Sequence, residues 1–157
     1  MFAEKLDFYR TLVAQAEALI ADETDLIANM ANISALLFNE MPDLNWSGFY
    51  ILRQGELVLG PFQGKPACVR IAVGKGVCGT AVASGQIQLV KDVHEFPGHI
   101  ACDAASNSEI VLPVRLRGEI IAVLDIDSPS LARFDDADSQ GLSELVAVFE
   151  RRLDQTL

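Results

Sequence analysis

Residues 109–127 read EIVLPVRLRGEIIAVLDID, and the fold turns on how this stretch is paired. Two runs rich in β-branched and apolar residues, Glu109–Leu116 and Glu119–Asp127, flank the dipeptide Arg117-Gly118. That pattern predicts an antiparallel hairpin with a tight glycine-containing turn. Successive strand side chains alternate, so Leu124 and Ile126 share one face while Asp125 and Asp127 share the other. Antiparallel pairing also brings the start of one strand opposite the end of its partner, which gathers Glu109, Asp125 and Asp127. Three carboxylates side by side repel. The cluster therefore implies a cationic group in a ligand, or a carboxyl held neutral as a proton donor.

Outward from this hairpin the same punctuation recurs. Trp46–Leu52, a Gln54-Gly55 turn and Glu56–Gly60 predict an earlier hairpin, followed by strands at Cys68–Val73 and Ile87–Val90. Between them a short helix is expected over Cys78–Ala83, closed by Gly85. His94–Ala105 reads as irregular, with Pro97-Gly98 as a breaker. At the N-terminus, apolar residues at helical spacing (Leu6, Tyr9, Leu12, Val13, Ala16, then Met30, Ile33, Leu37) predict two helices broken at Asp22–Thr24. Asp135–Leu153 predicts a closing helix, with acidic residues at its start and Arg151-Arg152 near its end, as the helix dipole favours. The order gives an α+β domain spanning residues 1–157. Its centre is a mainly antiparallel six-stranded sheet, with the N- and C-terminal helices on one face.

Composition narrows the partners. The chain has 157 residues and a net charge of −10, so no basic surface is expected for nucleic acid or anionic lipid. No apolar run reaches the length of a membrane span. The start MFAEKLDFYR lacks the basic head and apolar core of an export signal, so a cytoplasmic location is expected. Three cysteines, an odd number, do not suggest a disulfide framework in such a protein. Buried thiols, metal ligands or redox chemistry are the alternatives.

Each motif has an ordinary reading as well. Gly74, Gly76 and Gly79 match G-x-G-x-x-G, yet the helix that follows is too short for a dinucleotide-binding crossover. Their backbone amides could instead hold a small carboxylate. His94, His99 and Cys102 lie close in sequence, but no short-spaced ligand pair suggests a zinc site, and no metal is expected; a surface or capping role suits both histidines. Cys68 and Cys78, among apolar neighbours, suit small buried side chains. Cys102 lies in the polar stretch ACDAASNS, where an accessible thiol becomes available for nucleophilic or redox chemistry. Trp46 and Tyr50 could line an apolar slot or simply fill the core.

The segments PFQGKPACVRIAVGKGVCGTA, DVHEFPGHIACDAASNSEIVLPV and VLDIDSP together resemble the free methionine-(R)-sulfoxide reductases, enzymes built on a GAF domain. The resemblance covers nearly the whole chain. It implies a GAF-like fold and Cys102 as the thiol that attacks the sulfoxide, with Cys68 as the resolving thiol and Cys78 as an alternative or assisting partner. Glu109, Asp125 and Asp127 match the family's substrate-binding carboxylates, and Glu109 also becomes a candidate proton donor. Trp46 and Tyr50 match the wall at the methylthio end. The reaction so implied passes through a sulfenic acid and an intramolecular disulfide, uses no bound cofactor, and draws electrons from NADPH-linked thioredoxin; a homodimer is possible. The competing expectations are a non-catalytic GAF sensor of small molecules and a metal-binding thiol protein.

Overall fold

The computed structural model describes residues 2–99 and 105–156. Two helices, α1 (Phe2–Ile20) and α2 (Leu26–Glu40), precede strands β1 (Trp46–Arg53), β2 (Glu56–Gly64) and β3 (Arg70–Ala72). Helix α3 (Gly76–Ser84), strand β4 (Gln88–Val90) and a single 3-10 turn (Val93–Glu95) follow. The chain then forms β5 (Ser108–Leu116), β6 (Glu119–Ser128) and helix α4 (Asp136–Thr156). The expected α+β class and six-stranded sheet are both found. Every strand pair is antiparallel, in the order β3-β2-β1-β6-β5-β4.

Local chemistry sets the element ends. Asp25 caps α2 by accepting a 2.8 Å hydrogen bond from the Ala28 amide, which fixes the break between the first two helices. Gly85 closes α3 in the left-handed conformation, as anticipated. Both hairpin turns carry positive φ at two successive residues, Gln54-Gly55 and Arg117-Gly118, the twist that suits two-residue hairpins. The expected strand over Cys68–Val73 contracts to Arg70–Ala72, leaving Cys68 in the connection between β2 and β3. α4 runs a turn further than expected, to Thr156.

The sheet is covered on both faces, which explains why its central strands read as nearly continuous apolar runs. On one face Phe49, Ile110, Leu112, Val114, Leu124 and Ile126 pack beneath α1, α2 and α4, joining Tyr9, Leu12, Met30, Ile33, Leu145 and Phe149. On the other, Trp46, Tyr50, Val111 and Val123 meet Val77, Cys78 and Ala81 of α3. Tyr9 also donates a 2.7 Å hydrogen bond to Asp138, which accepts a second from Lys5 at 2.6 Å. This buried cluster ties α1 to the first turn of α4. Among the described residues, no helix is long and apolar enough to cross a membrane.

Candidate active site

The face beneath α3 carries the polar residues. β5 and β6 pair with Glu109 opposite Asp127 and Val111 opposite Asp125. Close to the turn, however, the register is that of a simple two-residue hairpin, with Leu116 opposite Glu119 and Arg115 opposite Ile120. Continued unchanged, that register would set Glu109 opposite Ile126, on the face packed beneath the long helices. β6 instead carries one residue more than β5 beyond Arg115, so Val114 pairs with Ala122. A one-residue shift exchanges the faces of a strand. The bulge therefore brings the three carboxyl groups to one side.

Glu109 and Asp125 are 7% and 5% exposed, and Asp127 is half-buried. Among the described residues, Oδ1 of Asp125 and Oδ1 of Asp127 are buried with no hydrogen-bond partner. Burial raises the pKa of Glu109, which is partly offset by hydrogen bonding to the two aspartates and by the charge of His99. Burial, followed by the charges of Asp127 and Glu109, pushes Asp125 well above the usual carboxylate range. Burial and Glu109 do the same for Asp127, opposed by hydrogen bonds from Asp125 and Ser106. Such a group resists full ionisation unless a cation compensates its charge.

Around this floor lie Trp46, Tyr50, Ala67, Lys75, Cys78, His99 and Ser106. Trp46 and Tyr50 are four apart on β1 and share its site face; their rings stack at 5.8 Å, and Trp46 also stacks on Phe62 at 5.1 Å. Gly48, between them, makes this possible, because a Cβ there would lie 2.3 Å from the Phe62 Cβ. Both aromatics are buried, so they are wall and core at once. Their polar tips fasten the segment that carries Cys68: Trp46 Nε1 donates to the Lys65 carbonyl at 3.1 Å, and the Tyr50 hydroxyl donates to the Cys68 carbonyl at 2.9 Å.

The three cysteines differ. Cys68 is half-buried and disulfide-bonded, which corrects its reading as a small buried side chain. Cys78 is a buried, free thiol in the first turn of α3. Burial, and then the neighbouring carboxylates, push its pKa well up, so it stays protonated. Cys102 lies outside the described residues.

Three polar lining residues escaped the sequence reading. His99, expected on the surface or as a cap, lines the pocket; its position three residues before Cys102 was the available signal. His94 does behave as expected, exposed and paired with Asp92 at 2.8 Å. Lys75 precedes α3, and no side chain caps that helix. Its first-turn residues Gly76, Val77 and Cys78 line the pocket, where helix amides and the positive end of the dipole suit an anion. Ser106 accepts from Asn45 Nδ2 at 2.9 Å and donates to Asp127 Oδ2 at 3.5 Å. The pocket thus offers acidic oxygens at its floor, amides at one side and an aromatic wall, which together fit an amino-acid zwitterion with an apolar end.

The GAF domain family model matches residues 28–153. The chain is 59% identical over 152 residues to the free methionine-R-sulfoxide reductase of Escherichia coli strain K12, a match covering 97% of this chain and 92% of that protein. Among solved structures, fRMsr of Staphylococcus aureus in complex with substrate is 54% identical with a TM-score of 0.89, covering 92% of this chain and 95% of that one. The free methionine-R-sulfoxide reductase of Neisseria meningitidis in complex with its substrate is 46% identical with a TM-score of 0.93, covering 97% and 92%.

Proposed function

The chain belongs to the GAF-domain family of free methionine-R-sulfoxide reductases, and from that membership we propose that it reduces free L-methionine (R)-sulfoxide to methionine with a cysteine nucleophile. The observation that carries this reading is the buried acidic floor, where Oδ1 of Asp125 and Oδ1 of Asp127 have no donor among the described residues. A free amino acid brings an ammonium to those oxygens and a carboxylate to the amides at the start of α3. A peptide-bound residue brings neither, and leaving a buried charge without its partner costs about 2–5 kcal/mol, or roughly 30-fold to several thousand-fold in affinity.

The thiolate of Cys102 attacks the sulfoxide sulfur while Glu109, whose pKa burial raises, donates a proton to the sulfoxide oxygen. Oxygen passes to Cys102 as a sulfenic acid, and methionine is released. The Cys68 thiolate then attacks the sulfenic sulfur, water leaves, and a disulfide forms. Cys68 stands in a disulfide whereas Cys78 is a buried thiol with a raised pKa, which supports Cys68 as the resolving residue. A dithiol of the thioredoxin type reopens the bond by exchange.

The test is methionine formation from each sulfoxide epimer with dithiothreitol or thioredoxin, using free and N-acetylated substrate. Turnover of the free R epimer alone is expected. No methionine from wild-type protein would return the chain to the sensor reading, and equal turnover of the N-acetylated form would remove the ammonium argument.

A further inference from the structure

The proposed chemistry leaves the thiol of Cys78 without a task. Its Sγ and one carboxylate oxygen each of Glu109 and Asp125 lie within 4.8 Å of one another, all buried. These three groups come from α3, β5 and β6, which is why no short-spaced motif announces them. A separate observation points to a ligand at the same place. Asp125 is 5% exposed and lines the pocket, and its Oδ1 has no hydrogen-bond donor among the described residues. Buried polar atoms are rarely left unpaired in a native fold, so the position is suited to a cation.

The donor set selects the kind of cation. An ammonium satisfies carboxylate oxygens but gains little from a sulfur. Mg2+ and Ca2+ take six or more oxygen ligands and do not favour a thiolate. Zn2+ binds thiolate sulfur at about 2.3 Å and carboxylate oxygen at about 2.0–2.2 Å in tetrahedral sites, often with three protein ligands and an open fourth position. Such a tetrahedron sets its ligand atoms roughly 3.3–3.8 Å apart, within the 4.8 Å that bounds the present spacing of these three atoms.

We propose that the protein binds one thiophilic divalent cation of the Zn2+ class through Cys78, Glu109 and Asp125, with water in the fourth position, and that this ion and the amino-acid substrate exclude each other. The exclusion follows because both claim Glu109 and Asp125. The ion is an inhibitor, not a resident cofactor. On binding, the Cys78 S–H proton and any carboxyl protons pass to solvent while S–metal and O–metal bonds form, and no atom changes oxidation state.

The test uses Cys68→Ser/Cys102→Ser protein, in which Cys78 is the remaining thiol, titrated with Co2+ as a coloured stand-in for Zn2+. One equivalent should produce thiolate-to-cobalt charge-transfer absorption in the near ultraviolet, with visible bands of a tetrahedral ion. Zn2+ should bleach both. Wild-type protein with Cys68 held in its disulfide should give the same spectrum, which covers the case of a double variant that does not fold. Cys78→Ser should abolish the charge-transfer band, and Asp125→Asn should weaken binding at least about tenfold. Because the double variant cannot turn over, methionine sulfoxide itself can serve as the competitor and should release the metal. Absence of the band from both protein forms, or its survival in Cys78→Ser, overturns the site. Metal bound but not displaced by sulfoxide overturns the exclusion, and methionine formation by wild type in metal-free buffer tests the enzymatic reading separately.

Discussion

Asp125→Asn should make the protein more resistant to unfolding at pH 8 and a poorer catalyst. One carboxylate oxygen each of Glu109 and Asp125 lie no more than 4.8 Å apart, so with both ionised they repel by at least about 3.5 kcal/mol at an effective dielectric constant of about 20. Asparagine matches a neutral aspartic acid in size and removes that repulsion. The sign follows from linkage: the pKa values of Glu109, Asp125 and Asp127 are all raised in the fold. Their contribution therefore favours the native state below the ordinary carboxylate pKa of about 4 and is lost as pH climbs through the raised values. Melting measured calorimetrically from pH 5 to pH 8 should fall steeply for wild type and less for the variant. At pH 8 the variant should gain about 1–3 kcal/mol, or roughly 2–12 °C in Tm for a chain of this size. In the same protein, kcat/KM for free methionine-R-sulfoxide should drop about 30-fold to several thousand-fold, because the substrate ammonium loses an ionic partner. A variant that melts below wild type at pH 8, or one whose kcat/KM stays within about threefold of wild type, would refute the shared-pocket argument.

Three further outcomes are expected. Cys68→Ser should release one equivalent of methionine and then stall with thioredoxin, whereas Cys78→Ser should keep recycling; stalling of Cys78→Ser alone would transfer the resolving role. Ser106→Ala removes the hydroxyl donor to Asp127, so kcat/KM should fall about five- to tenfold, the worth of one hydrogen bond of roughly 1 kcal/mol; steady-state kinetics and thermal melting would separate this from a fold defect, which should be slight. Gly48→Ala drives its new methyl into Phe62 Cβ, with Phe62 Cα and the Pro61 carbonyl also within 2.9 Å. Overpacking of that kind costs about 1–3 kcal/mol, and KM should rise as Phe62 is forced off the Trp46 ring, measurable by melting and kinetics together.

The elements were largely legible because their signals are local. Gln54-Gly55 and Arg117-Gly118 mark their own turns, Gly85 closes its own helix, and the alternation of Leu124 and Ile126 with Asp125 and Asp127 sorts one strand into two faces. The residues that complete the pocket were less legible because they meet through distant segments. Trp46 pairs with Asp127 across the middle of the sheet, a contact that no turn specifies. Lys75 and Cys78 come to line the same pocket as the carboxylates only once α3 lies over β5 and β6. His99 reads locally as a residue in a Pro-Gly loop, and nothing in HEFPGHIAC says which way that loop faces.

The β5–β6 bulge gives a sharper case, because there the expected cluster was right while the simplest register behind it was not. Plain pairing outward from Arg117-Gly118 sets Glu109 opposite Ile126, and its carboxyl among Ile110-facing helices would have no ammonium to meet. One surplus residue in β6, Ile121, turns the far half of the hairpin over. The near half keeps the register set by the turn, and the far half takes the register that groups the acids. Burying three carboxyl groups together opposes folding as pH rises, and a strand regular throughout would have avoided it by separating Glu109 from Asp125 and Asp127. A bulge that instead brings them together is better explained by ligand binding than by stability.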